Sequence, residues 1–225
     1  MRIAENLLEV QKRIQEAAAR SGRDSTAVTL VAVSKTVGVE AIEEAQVLGL
    51  THFGENRVQE LKWKRERFPQ AHWHMIGRLQ TNKVKDAVGQ AALIHSLDRW
   101  SLAEALDKRG RLLGVEVPTL LQVSLAGEEQ KAGVLAGDVE AFLESVGQLK
   151  WLRIKGLMTM APLSEDSEKS RPFFKELCEI YRCYNRRTYQ NVEMKHLSMG
   201  MSQDFEIAIE EGATMIRVGT ALFGE

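Results

Sequence analysis

Eight short runs of strand-forming residues recur along this chain, at 28–35, 51–54, 72–77, 93–96, 117–123, 152–158, 194–198 and 215–218, with helical spacing between them. Apolar residues at i, i+3, i+4 and i+7 mark amphipathic helix, whereas short apolar or alternating runs bounded by turn residues mark strands. Helical stretches cover 39–48, 58–67, 81–88, 100–109, 138–146, 168–187 and 202–211, and an opening one at 2–20 carries Ile3, Leu7, Val10 and Ile14 on one face. Eight strands alternating with helices in 225 residues, with no linker or break in composition, predict a single (β/α)8 TIM barrel over 1–225 with an extra N-terminal helix. No ordinary eighth helix follows 215–218, and the opening helix is expected to cover that flank, which would otherwise leave apolar surface wet. The competing architecture is a doubly wound open sheet. The first strand is not followed by a G-x-G-x-x-G turn, which weighs against a dinucleotide site.

Charge excludes some partners. With 30 Lys+Arg against 31 Asp+Glu the net charge is −1, which gives no electrostatic reason to expect nucleic acid or an anionic membrane. No long uncharged apolar stretch and no signal region stand in the sequence, so a cytoplasmic protein without a membrane span is expected. Cys178 and Cys183 are five apart in a helical stretch, on different faces, and read as free thiols.

The first strand ends in a lysine, Lys35. In a parallel barrel the carboxyl ends of the strands build the site, and partial desolvation there would free a nucleophilic amine. A lysine snorkelling to solvent is the alternative. The other strand ends bring up Asn56, Gly77, Ser124, Thr159, Ser198 to Ser202, and Arg217 to Thr220. Ser198-Met199-Gly200-Met201-Ser202 turns from strand to helix, with Ser202 as an expected helix cap, and Arg217-Val218-Gly219-Thr220 ends the last strand. Loops after the seventh and eighth strands of such barrels often hold a phosphate, although glycine and serine also serve ordinary turns. An amine facing phosphate-binding loops suits a phosphorylated carbonyl compound, and pyridoxal phosphate has both groups. Arg217 would then keep the ring nitrogen unprotonated, unless it only forms a salt bridge.

Other residues read as structural. His72 and His74 share a strand face without a third ligand, so no metal is expected, and His52, His95 and His196 suit layer positions inside the barrel. Met158, Met160, Met199 and Met201 suit core packing, or walls for a flat ring. Asp98 is the expected cap of the helix at 100–109, and Lys62-Trp63-Lys64-Arg65 reads as a solvated helix face.

The blocks Ala32-Val33-Ser34-Lys35-Thr36, Phe53-Gly54-Glu55-Asn56-Arg57-Val58-Gln59-Glu60, His74-Met75-Ile76-Gly77-Arg78-Leu79-Gln80-Thr81-Asn82-Lys83, Leu197-Ser198-Met199-Gly200-Met201-Ser202 and Ile216-Arg217-Val218-Gly219-Thr220-Ala221-Leu222-Phe223-Gly224 together resemble the pyridoxal phosphate homeostasis protein family. The resemblance implies a barrel like the N-terminal domain of alanine racemase, with pyridoxal 5'-phosphate as a Schiff base on Lys35. It implies a phosphate held around Ser198, Gly200, Ser202, Gly219 and Thr220, with Arg217 facing the ring nitrogen and Asn56 beside the ring. It further implies a carrier and buffer that maintains vitamin B6 and amino-acid homeostasis without robust catalysis, a monomer whose partners are the cofactor and pyridoxal-phosphate-dependent apoenzymes. A low-activity racemase or Schiff-base lyase is the alternative. Racemases of this fold draw the opposing acid/base from a second domain and a partner subunit, and no second domain is expected here. Two departures stand out: Ser124 where relatives often carry asparagine, and an end at Glu225 where relatives usually have a short tail.

Overall fold

The strand elements of the computed structural model, which describes residues 3–125 and 132–224, are β1 (Thr29–Val33), β2 (His52–Glu55), β3 (His72–Met75), β4 (Leu93–Leu97), β5 (Val117–Ser124), β6 (Val134–Leu135), β7 (Leu152–Met158), β8 (Val192–Ser198) and β9 (Met215–Val218). All pairings are parallel, in the order β4-β3-β2-β1-β9-β8-β7-β5, and β4 pairs with β5 to close the ring. The two-residue β6 pairs in parallel beside the end of β5 and is not part of the ring. A closed eight-stranded parallel barrel therefore stands, as the alternation predicted, and the open sheet does not. Its strands are buried on both faces, which is why they read as near-continuous apolar runs.

The helices are α1 (Ile3–Arg20), α2 (Val39–Val47), α3 (Val58–Arg67), α4 (Val84–Ala87), α5 (Trp100–Leu113), α6 (Val139–Ser145), α7 (Arg171–Asn185), α8 (Phe205–Glu210) and α9 (Thr220–Phe223). The last is one turn long, too short to cover its flank. As expected, α1 covers it, packing on α8 and α9 through the buried face of Ile3, Leu7, Val10 and Ile14. Asn6 Nδ2 donates to the Leu222 carbonyl at 3.0 Å, and Arg13 and Arg20 pair with Glu206 and Glu210 at 2.7 Å each. Among the described residues, no helix is long and apolar enough to cross a membrane.

Three local expectations need correction. Asp98 does not cap α5; its carboxylate accepts from Arg78 Nε at 3.1 Å and from Arg99, whose backbone occupies the cap position. Ser202 does not cap α8, since Asp204 takes that position. Lys64 is not solvated: it is fully buried, and its ammonium donates to Glu55 Oε1 and to the Ser34 carbonyl, both at 2.7 Å. Val58, Leu61 and Lys64 lie three apart and share the buried stripe of α3, so the amine is carried under the barrel wall rather than out to water. Cys178 is buried and Cys183 exposed, both free. The sequence also predicts a polar loop over 128–133, which lies largely outside the described residues.

Candidate functional site

β1 ends at Val33, Ser34 takes the last buried position, and the chain turns at Lys35 and Thr36. Thr36 has φ +62°, an uncommon conformation for a β-branched residue, where the chain turns away from β1. Lys35 is exposed at this turn, so the partial burial expected of it is absent; the buried amine nearby is Lys64. Ser34 ties the two together. Its carbonyl accepts from Lys64 Nζ, and its hydroxyl donates to Glu55 Oε1 at 2.7 Å, so a buried ion pair clamps the peptide that carries Lys35. Burial raises the Glu55 carboxyl pKa against the opposing pull of Lys64 and Ser34, and Oε2 of Glu55 has no partner among the described residues.

Lys35 borders two cavities. One, of about 300 Å³, also has Asn56, Ser202, Arg217, Gly219 and Thr220 in its lining. The other, of about 510 Å³, lies against α2, with Glu40 and Glu44. The smaller one is the better candidate, because the residues from β2, β8 and β9 that sequence reasoning singled out converge there with a buried cation. Met160 and Met201 belong to its wall, while Met158 and Met199 pack in the core.

Arg217 is 4% exposed, with Nη1 donating to Ser198 Oγ at 2.6 Å and Nη2 to the Thr159 carbonyl at 2.9 Å. Burial lowers its pKa to about 10, which leaves it a cation at neutral pH. Ser202 Oγ accepts the backbone N–H groups of Gly219 at 3.2 Å and Ala221 at 3.3 Å, so its own proton is free to donate into the cavity. Asn56 is held at the rim by Gly77, where an added Cβ would sit 2.3 Å from the Asn56 carbonyl oxygen. Gly200 has φ +88°, and a Cβ there would meet Ala208 at 2.5 Å; only glycine lets the loop after β8 fold onto α8 while its carbonyl accepts from Arg217 N at 3.0 Å.

Six of the eight predicted residues thus share one cavity wall. Ser198 and Gly200 do not line it: Ser198 is fully buried beneath Arg217, and Gly200 shapes the loop. Glu55, Lys64 and Thr159 support the site and were not foreseen in that role. Among the described residues no group of three metal-binding side chains occurs.

This is a barrel of the alanine racemase type: the family described as "Alanine racemase, N-terminal domain" matches residues 5–225. A pyridoxal phosphate homeostasis protein of Aquifex aeolicus is 46% identical over 100% of this chain and 99% of its own length. PipY of Synechococcus elongatus, solved with pyridoxal phosphate bound, superposes with TM-score 0.85 at 38% identity, covering 99% of this chain and 100% of that one. Alanine racemase of Clostridium difficile shares the fold, with TM-score 0.73 at 14% identity over 99% of this chain and 56% of that one. The chain belongs to the pyridoxal phosphate homeostasis protein family.

Proposed function

We propose that this protein binds pyridoxal 5'-phosphate at the cavity shared by Lys35 and Arg217 and acts, as a cytoplasmic monomer, to carry and buffer the cofactor for pyridoxal-phosphate-dependent apoenzymes. The observation that carries this reading is the donor set of one small cavity: a primary amine at its mouth, a buried guanidinium at its floor, and a serine hydroxyl beside Gly219 and Thr220. Those groups match an aldehyde, a ring nitrogen and a phosphate. Lys35 would hold the aldehyde carbon of the cofactor as a Schiff base. When bound, the group supplies an electron sink for bonds at an amine-bearing carbon.

Arg217 limits that chemistry. It keeps its protons at neutral pH and so leaves a facing ring nitrogen unprotonated, which weakens the sink. Ser202 would donate its free proton to a phosphate oxygen, with Gly219 and Thr220 alongside, and Asn56 would flank the ring. Ser198 would act through Arg217, and Gly200 through the shape of its loop.

Racemisation needs a proton-exchanging group on each face of the reacting carbon. Besides Lys35, the lining has Asp204, whose Oδ2 accepts from Ser170 Oγ at 3.0 Å and whose Oδ1 accepts from Met201 N at 2.7 Å. A carboxylate committed in this way supports carriage over turnover. The racemase-like fold favours a second reading, a weak racemase or Schiff-base lyase on Lys35. Incubating the loaded protein with L-alanine in deuterated water separates the two. The expected result is α-proton exchange no faster than with free cofactor, and sustained exchange with formation of the D-enantiomer would contradict the carrier.

A further inference from the structure

A line of side chains crosses the barrel interior from Arg217 to the amino-terminal rim. Arg217 Nη1 donates to Ser198 Oγ at 2.6 Å, and Ser198 Oγ lies 3.0 Å from His95 Nδ1. His95 Nε2 lies 2.9 Å from His74 Nδ1, and His74 Nε2 lies 3.0 Å from His52 Nδ1. Ser198, His95 and His74 are at most 2% exposed, whereas His52 is half-buried at the start of β2, stacked on His72 with ring centroids 4.8 Å apart.

The proton positions along this line follow from its first member. A guanidinium has donors only, so Ser198 Oγ accepts from Arg217. The buried Ser198 hydroxyl then has one proton of its own, and among the described residues its one hydrogen-bonding neighbour besides Arg217 is His95 Nδ1. That nitrogen therefore accepts, and a neutral His95 carries its proton on Nε2, donating to His74 Nδ1. The same logic sets His74 as an Nε2–H donor to His52 Nδ1, and His52 as Nε2–H in turn. Burial lowers the pKa of all three rings, which keeps them neutral as the chain requires. The reversed direction would point the Ser198 proton and the His95 Nδ1 proton at each other, a buried clash of donors.

We infer that Ser198, His95, His74 and His52 are positioning residues for Arg217, forming one polarised hydrogen-bond relay in which every proton points away from the guanidinium toward the opposite rim. The relay fixes the Ser198 oxygen as an acceptor and so clamps the guanidinium at the cavity floor. The charged and titratable groups facing it are His72 and His196 beside His52, with Lys155, Glu193 and Lys195 near His196, and Asp204 near Arg217. The proposed function bears on the relay only in that Arg217 is taken to face the cofactor; the proton directions stand without it.

The test uses the ligand-free protein labelled with nitrogen-15, with side-chain proton–nitrogen correlation spectra at pH 7.5. His52, His74 and His95 are expected as neutral Nε2–H tautomers. Ser198→Ala, which removes the directing hydroxyl, is expected to shift the tautomer populations of all three together, and Ser198→Thr, which keeps it, to leave them as in the parent. Any of the three found as Nδ1–H or as imidazolium in the parent overturns the relay, as does an Ser198→Ala response confined to His95. Because these spectra need no cofactor, failure to load Lys35 would overturn the proposed function and leave this result standing. Ser198→Thr also covers the case in which Ser198→Ala does not fold, since the parent tautomers are read first.

Discussion

Replacing Lys64 with methionine is expected to lower the unfolding free energy by about 3–5 kcal/mol, the cost of leaving a buried charge without its partner. Among the described residues the Glu55 carboxylate has only Lys64 and Ser34 as hydrogen-bond partners, both on Oε1, and nothing on Oε2. With the ammonium gone, the carboxylate must stay charged in an apolar wall or take up a proton against its solution pKa. Glu60, 3.7 Å from Lys64 and partly exposed, retains water and contributes little to this loss. In a chain of this size such a loss moves the melting temperature by on the order of 10 °C. Adding Glu55→Leu is expected to restore most of the stability, because a well-packed apolar pair avoids the desolvation of both ions. Urea unfolding at pH 7 checks both. A single variant within about 1 kcal/mol of the parent, or a double variant no better than the single, would contradict the buried pair as described.

Acidification is expected to unfold this protein at milder pH than carboxylate protonation alone would require. Burial is the largest cause lowering the pKa of His52, His74, His95 and His196, followed by repulsion from His72 for His52, from His52 for His74, from His74 for His95 and from Lys195 for His196. His74 reaches about 3, against 6.5 for a free ring. The unfolded chain therefore binds protons first as pH falls. Stability is intact above pH 6.5 and is lost progressively from there down toward pH 3. Each pKa unit is worth about 1.4 kcal/mol, so His74 alone accounts for about 5 kcal/mol across that window. His95 acts in the same direction. Such a sum rivals the whole stability of an ordinary domain. Urea midpoints at pH 8, 6.5, 5.5 and 4.5 are expected to be level between the first two and to fall steeply after; a flat profile down to pH 5 would contradict the buried neutral state of these rings.

The barrel was legible because its determinants are local. Parallel strands buried on both faces read as apolar runs, and α1, α3 and α7 showed helical spacing with only small errors at their ends. The candidate site was legible where polar residues sit at strand ends and line one cavity, as with Lys35, Asn56 and Arg217. It was not legible where burial depends on neighbours distant in sequence. Lys64 reads as surface in a run of four polar or amphipathic residues, yet its three-residue spacing from Val58 and Leu61 was the available sign that it shares the buried stripe. Ser198 looked like a loop hydroxyl waiting for an anion. Its actual partners, His95 and Arg217, lie 103 and 19 residues away, and no local pattern encodes that pairing. His52 and His95 were read as layer residues and His74 only as a strand residue without a third metal ligand, and the order of these three with Ser198 in a single line emerges only when β2, β3, β4 and β8 close around one axis.

Borohydride reduction of the protein loaded with pyridoxal phosphate, followed by peptide mass mapping, decides whether Lys35 holds the cofactor. One phosphopyridoxyl group per chain is expected on the peptide containing Lys35, and none on the Lys35→Ala protein treated in parallel. A stoichiometric adduct on another lysine, or one that persists in Lys35→Ala, would contradict that assignment.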